Sequence, residues 1–184
     1  MTSPSSTRAV TKAVPGDTIN LAKGRYVDVA LRLTKGGTES RPITLAAVVP
    51  GEAIFSGCSK IELAAPYITL DGLYFLGGAL EGEKQGGSVL TLASHHGVIR
   101  QTAVVDFKPA ASRQGYYWVF FAGEHNLLER CYFKGKNNLE PLIGNALENS
   151  RHNTVQSCAF VNLPYDEGNG ARSSGSGAQA SSTR

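Results

Sequence analysis

A short motif recurs along this chain every 27 to 29 residues, and that period limits the fold more than any other feature. It reads aliphatic, two residues, small or Cys, one residue, aromatic. Leu70 leads into Leu73 and Phe75, Leu128 into Cys131 and Phe133, and Val155 into Cys158 and Phe160. Ile99, Thr102 and Val104 form a weaker copy, and looser matches lie upstream at Leu45 and Leu21. The steps from Leu70 to Ile99, Leu128 and Val155 are 29, 29 and 27. A fixed period of this size means one supersecondary unit stacked on itself.

The unit is not helical. Its segments are short, β-branched or aromatic, and bounded by Gly, Asn and Pro, as in Tyr67-Ile68-Thr69-Leu70, Ser88-Val89-Leu90-Thr91-Leu92 and Trp118-Val119-Phe120-Phe121. No window of helix length holds an unbroken 3.6-residue period. Several short strands per repeat predict an all-β parallel β-helix, in which each coil turns once around a shared core and equivalent residues stack.

A turn precedes each repeat. His96-Gly97, His125-Asn126 and His152-Asn153 occupy one frame, and Gly and Asn accept a left-handed backbone at little cost. A stacked column of Asn can also bond from coil to coil. The three His invite a metal reading, but no carboxylate or Cys repeats beside them at ligand spacing, and the turn reading is the better one.

At 184 residues the chain is one domain with room for a sizeable core. Charged residues are only 18% of the chain while Gly numbers 21, a balance that suits a turn-rich β fold better than disorder. A net charge of +3 permits an acidic partner without demanding one. Cys58, Cys131 and Cys158 are far apart; the last two share a repeat position and are expected to point inward, where a disulfide is allowed but not needed. No stretch reaches transmembrane length, and MTSPSSTRAV lacks the apolar centre of a signal peptide.

Residues 1–12 read as a disordered segment and 13–170 as the coils. Residues 80–88 and 108–116 read as polar loops thrown out from coils, where solenoids place binding residues. Residues 171–184, ARSSGSGAQASSTR, read as a flexible tail.

The ordered set PGDTINLAKGRY (15–26), KGGTESRPITLAA (35–47), PGEAIFSG (50–57), YITLDGLYFLGG (67–78), HNLLERCYFKGKN (125–137) and EGNG (167–170) resembles the sixth polysaccharide lyase family, the chondroitinase B and alginate lyase group. The resemblance covers roughly residues 13–170. It implies a right-handed parallel β-helix, here truncated at its C-terminal end, and cleavage of uronate-containing polysaccharide by β-elimination. In such a reaction the C5 proton beside a carboxylate is removed, and a cation must neutralise the charge that builds there. In the family that cation is typically calcium, held by an Asn and two Glu, with a Lys as base and an Arg on the leaving-group side.

Carried over residue by residue, the resemblance makes Asn169 the counterpart of the calcium-ligand Asn. The Glu ligands and the catalytic Lys and Arg fall beyond this chain, so no catalytic residue is named and calcium is not expected on the fragment. After Gly170 the family pattern continues about GEIIRIG where this chain reads ARSSGSG. One added base after the Gly170 codon, with free codon choice, lets the tail read GEIIRIGSSGVKHA, so residues 171–184 are taken as out-of-frame translation.

Lys134 and Lys136 carry two readings, a solvated turn and a subsite gripping substrate carboxylates. Tyr116-Tyr117-Trp118 could stack on a sugar ring through Tyr117, although Trp118 also reads as the start of a partly buried strand. Lys108, Arg113, Arg130 and Arg151 read either as a basic strip or as a scattered solvated surface, with Arg113 the best candidate for a carboxylate. Asp71-Gly72 reads as a turn. The expectation is therefore an N-terminal lyase fragment of periplasmic or secreted type, inactive as written, with acidic polysaccharide as partner and neither nucleic acid nor membrane. The alternatives are a non-catalytic β-helix that binds acidic polysaccharide and an inert, self-associating product.

Overall fold

The computed structural model describes residues 10–80, 87–108, 115–137, 140–146 and 148–163. The first three coils contribute β1 (Thr18–Leu21), β2 (Gly24–Val27), β3 (Ala30–Leu33), β4 (Ile43–Ala47), β5 (Ala53–Gly57), β6 (Lys60–Leu63), β7 (Ile68–Asp71), β8 (Tyr74–Gly78) and β9 (Gly87–Leu92). Further along lie β10 (Val98–Arg100), β11 (Ala103–Val105), β12 (Tyr116–Phe121), β13 (Leu127–Glu129), β14 (Tyr132–Lys134), β15 (Ile143–Asn145), β16 (Thr154–Gln156) and β17 (Ala159–Val161). Every third strand joins one sheet: β1-β4-β7-β10-β13-β16, β2-β5-β8-β11-β14-β17, and β3-β6-β9-β12-β15. All these pairings are parallel, so the chain is a right-handed parallel β-helix, the hand that twisted strands impose on parallel crossovers.

The register is the repeat itself. Leu45, Leu70, Ile99, Leu128 and Val155 pair in one column. Tyr26, Phe55, Phe75, Val104, Phe133 and Phe160 pair in the next. Upstream, the partner of Leu45 is Ile19 rather than Leu21, because β1 enters two residues out of the expected frame. Rings stack along the aromatic column at 5.1 Å for Tyr26–Phe55, 4.9 Å for Phe55–Phe75 and 5.4 Å for Phe133–Phe160. Coil spacing sets this separation, which suits offset stacking. Where Val104 interrupts the column, Phe107 packs edge-on to Phe75 and Trp118 packs beside Phe133.

Ordered structure begins ahead of residue 13: residues 10–12 form a helical turn, and Val10 lies in the core cluster. The expected polar loops are also shorter than 80–88 and 108–116. Leu80 is buried, Gly87 and Ser88 belong to β9, and Tyr116 belongs to β12.

Three corner columns carry the left-handed residues. The first holds Gly72, Gln101, Arg130 and Ser157, and the second Asp28, Gly57, Asp106, Gly135 and Asn162. The third holds Tyr67, His96, His125 and His152, with φ between 53° and 54°. This corrects the expectation that Gly97, Asn126 and Asn153 take the left-handed turn. The rings of the third column stack at 4.8, 5.2 and 4.8 Å, which offsets the roughly 1–2 kcal/mol that the conformation costs an ordinary residue. The Asn residues instead tie coil to coil, as a stacked Asn column can. Asn126 Oδ1 accepts from Gly97 N at 2.8 Å, and Asn153 Oδ1 accepts from Asn126 N at 2.9 Å.

Candidate functional site

The candidate residues gather around the second corner and the outer face of the third sheet. Along β14 the side chains alternate: Phe133 points into the core while Tyr132 and Lys134 point out. The neighbours of Lys134 in its outward column are Leu76, Val105 and Val161, all apolar. Its aliphatic stem therefore lies on hydrocarbon with the ammonium at the edge. Among the described residues no carboxylate pairs with it. A groove of about 460 Å3 opens here, lined by Asp106, Lys108, Lys134, Gly135, Asn162 and Leu163. Lys108 is engaged, its Nζ 3.6 Å from Asp106 Oδ1. Lys134 is thus placed on a strand rather than in a turn, as a cation with no acidic partner in the described groove.

The corner has a local rule. Asp106 takes the left-handed conformation, and its carboxylate folds against Gly135 one coil on, where a Cβ would collide with Oδ1. Asp28 and Gly57 repeat the arrangement, with Asp28 Oδ1 accepting from Cys58 N at 2.8 Å. These residues fall in one repeat frame, a signal that a search extended to the corners would have found.

Lys136, two residues beyond Lys134, has a different environment. It is 1% exposed, and its ammonium donates to the Glu140 backbone carbonyl. Burial pulls its pKa down to about 7, opposed by the nearby Glu140 carboxylate. The solvated-turn reading therefore fails for this residue, because the chain folds back over the amine after β14. Tyr117 meets the same Glu140 from β12. Burial first, then the hydrogen bond to Glu140 and its charge, raise the pKa of the phenol. The Tyr117 ring lies beside Phe120 at 5.0 Å and over Gly144, whose missing side chain makes room for it. Tyr116 and Trp118 face inward and are fully buried, donating to the Phe107 carbonyl at 3.0 and 2.8 Å. The structure thus joins Tyr117 and Lys136 through Glu140, a residue that sequence reasoning passed over. Beside them, Asn137 Oδ1 is buried and has no hydrogen-bond partner among the described residues.

Among the described residues the basic strip does not form. Lys108 sits past the end of β11, Arg130 between β13 and β14, and Arg151 before β16, on three different corners. Arg130 lies 3.6 Å from Glu129, and Arg151 lies 3.5 Å from Glu124. Asp71 ends β7 before the left-handed Gly72 and accepts two bonds from Arg100, at 3.0 and 2.8 Å. Arg113 and Asn169 lie outside the described residues, as do residues 164–184. Among the described residues no group of three or more His, Cys, Asp or Glu could hold a metal ion.

Fold and groove together define a solenoid of parallel coils with a lysine on one corner that has no acidic partner among the described residues. The family follows from comparison: the Chondroitinase B family model matches residues 2–183, and the chain belongs to that family. Among solved structures, a PL6-family polysaccharide lyase from Pseudopedobacter saltans is 41% identical over 88% of this chain, with a TM-score of 0.83. The PL6-family alginate lyase AlyGC is 28% identical over 77% of the chain, with a TM-score of 0.72. A mannuronic-acid-specific family 6 lyase from human gut microbiota, 21% identical over 79% of the chain with a TM-score of 0.72, shares the fold. The chain spans 37%, 20% and 35% of these three lyases. No curated protein matches it.

Proposed function

We propose that this chain is the N-terminal part of a lyase that cleaves a uronate polysaccharide, alginate or a dermatan- or chondroitin-type polymer, and that the described coils grip substrate. The observation that carries this reading is the family match over residues 2–183, together with 41% identity to a solved PL6 lyase. In β-elimination a base takes the C5 proton, the electrons form the C4–C5 double bond, and the C4–O bond breaks as the glycosidic oxygen leaves. Lys134 suits the binding side of this chemistry: an ammonium on an apolar column, open to a carboxylate. The outward ring of Tyr117 suits the C–H face of a sugar. Lys136 has the pKa of a base but not the access, so no base is assigned among the described residues.

Calcium belongs to the same proposal as the group that neutralises the substrate carboxylate in the intact enzyme. The described residues do not form a site for it, Asn169 lies outside them, and no step is routed through the ion. A periplasmic or secreted location is also part of the proposal. Among the described residues no helix is long and apolar enough to cross a membrane.

A second reading, a β-helix that binds acidic polysaccharide without cutting it, is supported by the groove, where the Lys134 ammonium lies open on an apolar column. The test has two arms. This chain alone should be retained on an alginate column and produce no ultraviolet absorbance from a new C4–C5 double bond. Lys134→Ala should weaken retention about two- to five-fold, the scale of one exposed ion pair. A chimera carrying residues 10–163 in place of the matching coils of the Pseudopedobacter saltans lyase should restore the absorbance. A folded chimera that binds polymer without cleaving it would leave the binding reading standing and overturn the lyase one.

A further inference from the structure

Cys131 and Cys158 sit opposite each other on successive coils. The pairing of Tyr132 with Ala159 and Phe133 with Phe160 fixes that register through the backbone, independently of any rotamer. Neighbouring parallel strands run about 4.7–4.9 Å apart, inside the Cα separation that a disulfide requires. A disulfide holds its Cβ atoms about 3.5–4.5 Å apart, so the two coils must draw together by up to about 1 Å at this point. Both thiols are free, and both point toward the same column of carbonyls. Cys131 Sγ donates to Ile99 O at 3.6 Å or Glu129 O at 3.3 Å, and Cys158 Sγ to Leu128 O at 3.7 Å or Gln156 O at 3.3 Å. Cys131 is buried and Cys158 half-buried, so only one of the two meets a reagent first. Cys58 is exposed at the end of β5, on another corner.

We propose that Cys131 and Cys158 are a modification site: on meeting a disulfide-class oxidant they form a bond that staples β17 to β14. Exposure divides the roles: Cys158 is half-buried and within reach of a reagent, while Cys131 is buried. The neighbouring Cys131 thiol also holds Cys158 below the usual thiol range, near 7. Cys158 is therefore the attacking thiolate. It attacks one sulfur of the oxidant, forming a mixed disulfide and releasing one thiolate. Cys131 then gives up its proton and attacks the Cys158 sulfur, expelling the second thiolate. Two protein thiols become one disulfide, and the oxidant disulfide becomes two thiols. The ring closed spans 27 residues and ends immediately before the strand of Lys134 and the strand leading to Asn162 and Leu163. It clamps together two coils that line the groove.

The test uses the whole chain, oxidised with glutathione disulfide, alkylated and digested with trypsin. Cleavage after Arg130, Lys134, Arg151 and Arg172 isolates the two thiols on CYFK and HNTVQSCAFVNLPYDEGNGAR. The expected result is these two peptides joined, two hydrogens lighter than their sum, and separated again by reduction. Amide exchange across Ala159–Val161 should slow roughly tenfold or more on oxidation, since the bond removes local opening. Cys58→Ser should leave both results unchanged. Glutathione retained on Cys158, pairing of Cys158 with Cys58, or two thiols that stay alkylatable in folded protein would each overturn the proposal.

Discussion

Replacing Asn126 by Ala tests how the third corner is held. Asn126 is 1% exposed, its Oδ1 accepts from Gly97 N at 2.8 Å, and its Nδ2 donates to Ser94 O at 3.0 Å. Gly97 is buried, so its orphaned N–H costs about 2 kcal/mol; Ser94 is half-buried and its carbonyl, partly reached by water, costs about 1 kcal/mol. The expected loss is about 3 kcal/mol. With a urea slope of about 2–3 kcal/mol per molar, that moves the unfolding midpoint down by roughly 1–1.5 M. Asn153 is the internal control. It makes the matching bonds, to Asn126 N and Gly123 O, and one more to Ser150 Oγ at 2.8 Å, but it is half-exposed. Water can replace what Asn153→Ala removes, so that variant should lose about 1 kcal/mol. Solenoids open locally, so amide exchange at Gly97 supplies a second readout, which should accelerate in Asn126→Ala and not in Asn153→Ala. If Asn126→Ala shifts the midpoint by less than about 0.3 M, or Asn153→Ala costs as much, the buried amide column is not what ties these coils.

Truncating the stacked core should be costlier still. Phe75→Ala removes a fully buried ring stacked on Phe55 at 4.9 Å and should cost about 3–5 kcal/mol by urea unfolding, whereas Phe75→Leu should cost much less. Lys136 makes stability depend on pH. Its folded pKa is lowered, to about 7 from 10.5, so between those values the unfolded chain binds more protons and stability rises with pH. Below about pH 7 both states are protonated and the burial penalty is present in full. Lys136→Met should flatten the difference between variant and parent unfolding profiles above pH 10 and be most stabilising, relative to the parent, below pH 7. An equal effect at pH 6 and pH 9 would place the amine in water instead.

Most of the coil architecture was legible in the chain. The motif from Leu70 to Phe160 recurs because every coil must put an aliphatic and an aromatic residue at the same two points around one core, and the observed pairing follows that frame. The frame fails at Leu21, where β1 pairs two residues early, with Ile19 opposite Leu45. Cys131 and Cys158 were placed inward on the same grounds. The stacking of the three His was not read, because pattern locates a turn but does not say which of its two residues turns left-handed.

The site was read only in outline. Spacing along the chain drew attention to Tyr117, Lys134 and Lys136 without distinguishing their surroundings. Lys134 and Lys136 have the same charge and stand two residues apart, yet one lies open on an apolar column and the other is shut under Glu140. Sequence by itself determined the period, the strands and the family, because these depend on residues that repeat and on backbone pairing that any coil must satisfy. Tertiary structure alone decided which lysine stays open to solvent, which aromatic faces out beside Glu140, and that Lys108, Arg130 and Arg151 disperse to separate corners. Exposure and electrostatic environment are set by what folds over a side chain from elsewhere in the coil stack, and no local spacing encodes that.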